Sequence, residues 1–586
     1  VKAISKSNPT FRGNDEQDET KSKIEMVEMD RKKMYKYTCN VWSFGSSNGG
    51  QLGIETERNV ESNTFHNASI SKSSHVSSPV LVGAFCEMPC MISNDVEISG
   101  SRKSRSKFLT EFFRENVQHS NKSNVIHESR LKYLAISVGM SRTLLSMVTQ
   151  NPISLLSRKK KGLRDGIYEW GKDRQRSRKV DFLPTFLKHE VFTAKDRKSR
   201  SMVLQVASGS EHSLALVLEC GPVTKYYEKD SGHRVFELED DGKNSPRHRF
   251  WFKTKIVAWG LNDGRLGIDY GKRGSSNFVS PKEIHESLFD SKRFQDTQIV
   301  SIKSGTRHSA AIDSEGKLYM WGATANGRCA MQPQDSRGMV AFPTCVDSLK
   351  AWRVHEISLG DSHCLAIASR GRRKNQLFVW GRNAHGRLGL GDKKDRHVPT
   401  PLKYINDEVE GFVSCVAAGG SHSLVLVRHE DNSTKLFSWG ANMDGQLGIM
   451  SEKHSDVVAS SCETKPRQVH NYDGETNERL KFISVVAGQR HSIGVVESRH
   501  CAGGTAIYVW GHNENGQLGI GDTQTHMTPI RLKIFDSRTL LRSQNEVLIQ
   551  KLFPKFTSQL GTECRFLIST GASVTSIISL LRHKYL

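Results

Sequence analysis

The sequence predicts an all-β fold, a seven-bladed β-propeller closed by strands from both chain ends. Two recurring phrases and the spacing of their copies predict it. The first runs "VWGRNAHGRLGLGD" from Val379, with close copies from Ala258, Ser438 and Val509 and weaker ones from Ser43 and Met320. A seventh, "EWGKDRQRSRK" from Glu169, keeps only the Trp-Gly. The second phrase runs "AAGGSHSLVLV" from Ala417, with copies from Ala207, Lys303, Ser358 and Val486 and degenerate ones from Ser137 and Gln559. The two phrases alternate along the chain, seven of each.

Gly322, Gly381 and Gly440 are 59 residues apart. A period of tens of residues marks a repeat architecture. Each period holds short β-branched runs such as "LFVW" and "SLVLV" between Gly-rich turns, the pattern of a small antiparallel sheet and not of a helix pair. Seven such sheets in a ring leave only short, protected edges. The first good strand, "YTCNVWSFG" from Tyr37 to Gly45, is the second half of a hairpin, and "ECRFLIS" near the C-terminus is a first half without its partner. The N-terminal strand is therefore expected to pair into the last blade, which removes an open edge. The expected division is a disordered N-terminal segment over 1–36, a propeller over 37–570 and a C-terminal tail over 571–586.

Alternation of Trp-Gly-x-Asn-x-x-Gly-Gln-Leu-Gly with Gly-x-x-His-Ser-x-x-Leu resembles the repeats of the regulator of chromosome condensation (RCC1) family, over about residues 37–570. The resemblance implies the propeller and, for most members, a binding or scaffold role. The founding member is an exchange factor for the small GTPase Ran. Its diagnostic phrase, Gly-x-Asn-Asp-x-x-Ala/Val-Leu-Gly-Arg-x-Thr, has its nearest counterpart in "GLNDGRLGIDYGKR" from Gly260. That stretch keeps Asn262 and Asp263 but is two residues short before Leu-Gly and lacks Arg-x-Thr. The exchange surface is therefore not carried over residue by residue.

Most motif residues read as structural. Trp259, Trp321, Trp380, Trp439 and Trp510 end strands and are expected to pack between neighbouring blades. The glycines beside them permit a positive φ where a side chain would clash. Gly-x-Leu-Gly is turn chemistry here, since it lacks the Lys-Ser/Thr of a phosphate loop. His212, His308, His363, His422 and His491 recur at one repeat position, one to a blade. Metal ligands must converge within about 2.0–2.2 Å of one ion, so no metal or other cofactor is expected, and each imidazole is expected to meet a backbone carbonyl. Asp263, Asp392 and Asp522 fall at the Gly-rich turns and read as caps of their own backbone. No G-x-S-x-G, H-E-x-x-H or spaced nucleophile–base pair occurs, so no catalytic residue is assigned.

Composition narrows the setting. The longest apolar runs fall far short of a membrane span. Cysteines number 11, an odd count without a C-x-x-C pair, which favours a reducing compartment. The expected location is cytoplasmic or nuclear, with the mitochondrial matrix as the alternative. Net charge is +22, concentrated in residues 101–132 and, above all, 158–200, where 15 Lys or Arg face 6 Asp or Glu.

Departures from the basic period place insertions at about 55–130, 149–167 and 219–253, all in the first three blades. The last two occupy the turn that is a bare "DSEG" at Asp313 to Gly316 and should project from one face. Long loops on a rigid scaffold are where binding usually sits. The candidate partner-binding residues are Arg158, Lys159, Lys160, Lys161 and Arg164, followed by Arg174, Arg176, Arg178 and Lys179. The run 158–164 also reads as a nuclear import signal, a nucleic-acid phosphate contact or a solvated loop. The expected function is a non-enzymatic interaction module that binds a macromolecular partner, most simply a protein, through these inserted loops. A nucleotide exchange factor for a Ran-like GTPase is the first alternative, and an RNA- or ribosome-associated, organellar propeller the second.

Overall fold

The computed structural model describes residues 35–46, 75–81, 88–92, 131–140, 142–149, 166–172, 180–192, 200–222, 234–238, 248–269, 277–285, 298–371, 375–449, 461–498, 505–533 and 564–583. They form seven antiparallel sheets. Blades 1 to 6 follow in chain order, and a closing blade joins the two ends of the chain. Blade 4 illustrates the unit: Arg353–Leu359 innermost, then His363–Ser369, Gln376–Gly381 and Arg396–Pro401 outermost. Blade 1 spans strands Leu131–Val138 to Val180–Phe186, blade 2 Arg200–Ser208 to Asn277–Ile284, and blade 3 Ile299–Ser304 to Met339–Cys345. Blade 5 spans Phe412–Ala418 to Cys462–Gln468, and blade 6 Lys481–Ala487 to His526–Arg531.

The short apolar runs become the second and third strands. In blade 3 every residue of His308–Asp313 and of Leu318–Ala323 is buried. These strands pack on a neighbouring blade through both faces, so they lack the in–out alternation of a half-exposed strand. The core is accordingly a series of inter-blade layers. Trp380 of blade 4, for instance, lies in one cluster with Ile302, Met320 and Trp321 of blade 3.

The Trp-Gly pair proves to be a β-bulge inside the third strand and not a turn after it. Pairing with the outermost strand slips between Val379 and Gly381, and the slip recurs in the other six blades. Gly381 has φ +102°, and a Cβ there would lie 2.5 Å from Ser362 O. The bulge re-aims the preceding Trp, and only glycine fits beside it.

Closure corrects two expectations. The innermost strand of the closing blade is Cys564–Thr570, and its hairpin partner is Val574–His583. The segment after 570 is thus the second strand of a blade and not a tail. The N-terminal strand Tyr35–Ser46 enters as the third strand, in register with it from Lys36↔His583 to Gly45↔Val574. The seventh Gly-x-x-His turn is therefore Gly571 to Val574, with Val574 in the histidine place, and not the stretch after Gln559. Residues 1–34 lie outside the described residues.

The insertions are partly built into sheets. His75–Leu81 and Met88–Ile92, inside the first, both pair with Tyr35–Ser46. In the third, His212–Pro222 and His248–Asn262 run on as a lengthened hairpin to Pro222↔Phe250, and Arg234–Leu238 adds to its edge.

Candidate partner-binding face

Antiparallel order puts the Gly-x-x-His turns and the Gly-rich loops before the outermost strands at the same end of every sheet. This turn face surrounds the ring axis. Gly139, Gly209, Gly305, Gly360, Gly419, Gly488 and Gly571 line an axial depression of about 90 Å³. A Cβ on Gly209 would lie 2.6 Å from Gly305 O, and one on Gly571 would lie 2.3 Å from Gly139 O. The motif glycine is therefore fixed by close approach of the neighbouring blade's backbone. The residues after these glycines form a collar of mixed character, with Met140, Ser210, Thr306, Asp361, Gly420, Gln489 and Ala572. Its single carboxylate, Asp361, accepts bonds from Thr306 Oγ1 at 2.8 Å and Gln489 Nε2 at 3.4 Å.

The five histidines do not meet backbone carbonyls as expected. Each Nε2 meets the side chain after the equivalent position of the next blade: His212 to Ser309 Oγ at 3.0 Å, His363 to Ser423 Oγ at 3.0 Å, His422 to Ser492 Oγ at 2.9 Å and His491 to Thr575 Oγ1 at 3.1 Å. His308 meets Cys364 Sγ at 3.4 Å. That group then donates back to the first blade's Gly-rich loop, as Ser423 Oγ does to Arg387 O at 2.8 Å. The same carbonyl accepts Trp439 Nε1 at 2.8 Å. Trp321, Trp380 and Trp510 repeat this bond at 3.0–3.1 Å on Arg265, Arg328 and Gln446. Histidine, hydroxyl and Trp thus form one stitch between adjacent blades.

These Ser–His pairs are not catalytic dyads. All five imidazoles are buried to 1% exposure or less. The hydroxyl's proton goes to a carbonyl, so it accepts from Nε2–H. Burial, and nearby positive charge, push His212, His422 and His491 down to about 3, with His308 and His363 also well below the ordinary value. A base that weak cannot take a proton from serine near neutral pH.

Further charged groups lie outside the collar. Asp263 binds Arg265 at 2.6 and 2.5 Å and Arg307 of the next blade at 3.1 Å. Burial raises the Asp263 carboxyl, but the two guanidinium groups outweigh that and hold it below its usual range. Asp444 repeats the arrangement with Arg490 of the next blade, at 2.5 and 2.7 Å. Asp392 and Asp522 cap their own loops, accepting from Lys394 N and Gln524 N, each at 3.0 Å. Asp263 therefore serves a cross-blade ion pair, unlike the cap expected of it.

The basic candidate residues Arg158–Lys161, Arg164, Arg174, Arg176, Arg178 and Lys179 lie outside the described residues. The strands around them constrain where they leave the blade. Residues 150–165 join Arg142–Thr149 to Gly166–Lys172, whereas 173–179 join Gly166–Lys172 to Val180–Phe186. The two connections depart from opposite ends of the sheet, so the topology does not bring the two halves of the basic set together. The connection across 150–165 is equivalent to the one across 223–247 in blade 2, since both follow the second strand.

Comparison with known proteins agrees with this architecture. The model of the regulator of chromosome condensation (RCC1) repeat matches residues 315–367, 374–426, 435–495 and 506–543, and a second RCC1-repeat model matches 299–328 and 354–387. The matched residues carry RCC1 repeats, and the described residues fold as a seven-bladed all-β propeller. It is 31% identical over 282 residues to the ultraviolet-B receptor UVR8 of Arabidopsis thaliana, a match over 47% of this chain and 54% of the receptor. The chain thus spans about half the length of that relative. Yeast Prp20, solved bound to Kap60, superposes with TM-score 0.55 at 18% identity, covering 100% of this chain and 96% of Prp20. Human WBSCR16 superposes with TM-score 0.54 at 16% identity, covering 92% and 99%. Among the described residues no helix is long and apolar enough to cross a membrane.

Proposed function

We propose that this propeller is a non-catalytic interaction module and that its partner, a protein, binds the sector made by the closing blade, blade 1 and blade 2. The observation that carries this is that three insertions fall in adjacent blades, two of them at the equivalent connection, while the long connection from Arg531 to Cys564 leads into the same closing blade. The recurring chemistry of the repeat is consumed in stitching blades, which leaves the added segments outside that frame. Protein partners among the structural neighbours are in keeping with it: the yeast Prp20 structure was described together with its binding to Gsp1p and histones. Replacing Arg158, Lys159, Lys160 and Lys161 with Ser tests the reading by affinity capture with the full chain. The captured partner should be lost while the melting temperature holds, since loop charges add little stability. Unchanged capture removes these residues from the interface.

Guanine-nucleotide exchange is the second reading, favoured by the superposition on Prp20. Against it, Asp263 is engaged by Arg265 and Arg307. Acceleration of labelled-nucleotide release from a Ran-like GTPase would establish exchange, and a stable complex without acceleration would establish scaffolding.

A further inference from the structure

Blades 4 and 6 carry the same Gly-rich loop on the same internal frame. In blade 4, Asn383 Nδ2 donates to Asp392 O at 3.0 Å and Oδ1 at 2.9 Å, and Asn383 Oδ1 accepts from Leu388 N at 2.9 Å. In blade 6, Asn513 makes the matching bonds to Asp522 at 3.0 and 2.8 Å and to Leu518 N at 2.9 Å. What differs is the outside. Blade 4 has Arg382, His385, Lys393, Lys394 and His397, all exposed, where blade 6 has Asn515, Thr523, Gln524 and Met527, with a buried His512 at the place of Arg382. The frame does not need the cations, because blade 6 builds it without them.

Nor are those cations neutralised. The two carboxylates within the loop are already engaged. Asp392 takes Arg396 at 2.7 Å and caps Lys394 N, while Asp395 takes Asn383 N at 2.7 Å and Asn326 Nδ2 at 2.9 Å. Among the described residues the side chains of Arg382, Lys393, Lys394, His385 and His397 make no hydrogen bond or ion pair. They sit close enough to repel: burial, then Arg387, Lys393 and Arg382, hold His385 below its ordinary value. His385 also adopts φ 62°, a left-handed conformation, which costs free energy for most side chains and suits Asn or Gly better. Asn326 occupies the equivalent place in blade 3 at φ 61°. A strained, uncompensated cluster is what a site for an anion presents before its ligand arrives.

We infer that the Gly-rich loop of blade 4 is a docking surface for an acidic polypeptide segment. The arginine fork matches carboxylates, and Val398, 55% exposed at the end of the loop, gives an apolar contact beside them. Residues 382–398 contain no Phe, Tyr or Trp, the platforms on which single-stranded nucleic acid stacks its bases. This surface goes beyond the inserted loops of the proposed function and uses none of their residues.

The sister loop supplies the variant. Arg382→His, His385→Asn, Lys393→Thr and Lys394→Gln together graft the blade 6 surface onto blade 4. Fluorescence anisotropy with labelled poly-glutamate, on the full chain at physiological salt, should show binding weakened about tenfold or more, or about 1.4 kcal/mol, with an unchanged melting temperature. The Ser variant of Arg158 to Lys161 should bind poly-glutamate as the native chain does, which separates this inference from the preceding one. Unchanged affinity in the graft, or no binding by the native chain, overturns the inference. Tighter binding of a single-stranded oligonucleotide of equal charge, lost in the graft, overturns the partner class.

Discussion

Blades 2 to 6 and the junction between the closing blade and blade 1 solve the same problem by different means. In the regular sector a histidine in each blade reaches a hydroxyl or thiol of the next, and five successive junctions are stitched that way. Around the seam the histidine place holds Val574 in the closing blade and Arg142 in blade 1, where Arg142 Nη1 turns to Glu169 at 2.9 Å. The ring is closed inside the closing blade, where the N-terminal strand is laid against Val574–His583, and Val138 N of blade 1 donates to Ser569 Oγ of the closing blade at 2.9 Å. Backbone pairing of the two chain ends accompanies the loss of the histidine relay here. The repeat motif thus marks where blades are locked by side chains, and its loss marks where other constraints act.

The largest effect should come from breaking the seam. Ending the chain at Gly571 removes Val574–His583 and leaves Tyr35–Ser46 without its neighbour. Calorimetry should show a greater fall in melting temperature than for any single substitution. An unchanged melting temperature would return 571–586 to the role of a tail.

Acid should attack the regular sector next. The five imidazoles have folded pKa values below the unfolded one, with three at about 3. Their contribution is fully present above about pH 6.5 and is lost as pH falls towards the folded value. Each histidine then costs about 1.4 kcal/mol per pH unit, so five together cost up to about 7 kcal/mol per unit. Denaturant titrations between pH 7 and 5 should show this slope, accompanied by proton uptake on unfolding. A flat profile would mean that the imidazoles titrate in the fold as they do in the unfolded chain.

Trp380→Ala should cost about 3–5 kcal/mol by loss of a buried large aromatic, and Phe44→Ala, at the same repeat position in the seam, should cost a similar amount. Both are fully buried. A much smaller cost for Phe44 would show that the strand pairing alone holds the seam. Arg307→Ala is the smallest change, within about 1 kcal/mol. Its side chain is half exposed, and Asp263 keeps Arg265 without it.

Much of this fold was legible because the repeat residues are fixed by backbone proximity. The glycines approach a neighbouring backbone too closely for a Cβ, so they survive in every copy, including Gly571. The seventh turn was misplaced because Val574 lacks the histidine, while "QLGTEC" imitates the phrase ten residues earlier. The partner of each histidine was not legible, since a hydroxyl some 60 to 97 residues away in sequence is brought near only by ring closure. The blade 4 cations were hidden for another reason. In "GDKKDRH" the formal charges largely cancel, and only the structure reveals that Asp392 and Asp395 are spent inside the loop. The split of the basic set across two ends of blade 1 depended on knowing which connections its halves occupy.

The stitch between blades is tested most directly by NMR of the intact protein carrying labelled histidine, recorded from pH 7.5 down to the onset of unfolding. His212, His308, His363, His422 and His491, assigned by single His→Gln variants, should remain neutral Nε2–H tautomers throughout, their resonances unmoved until the fold is lost. Titration of these five in the folded protein near the ordinary histidine value of about 6.5 would contradict the account.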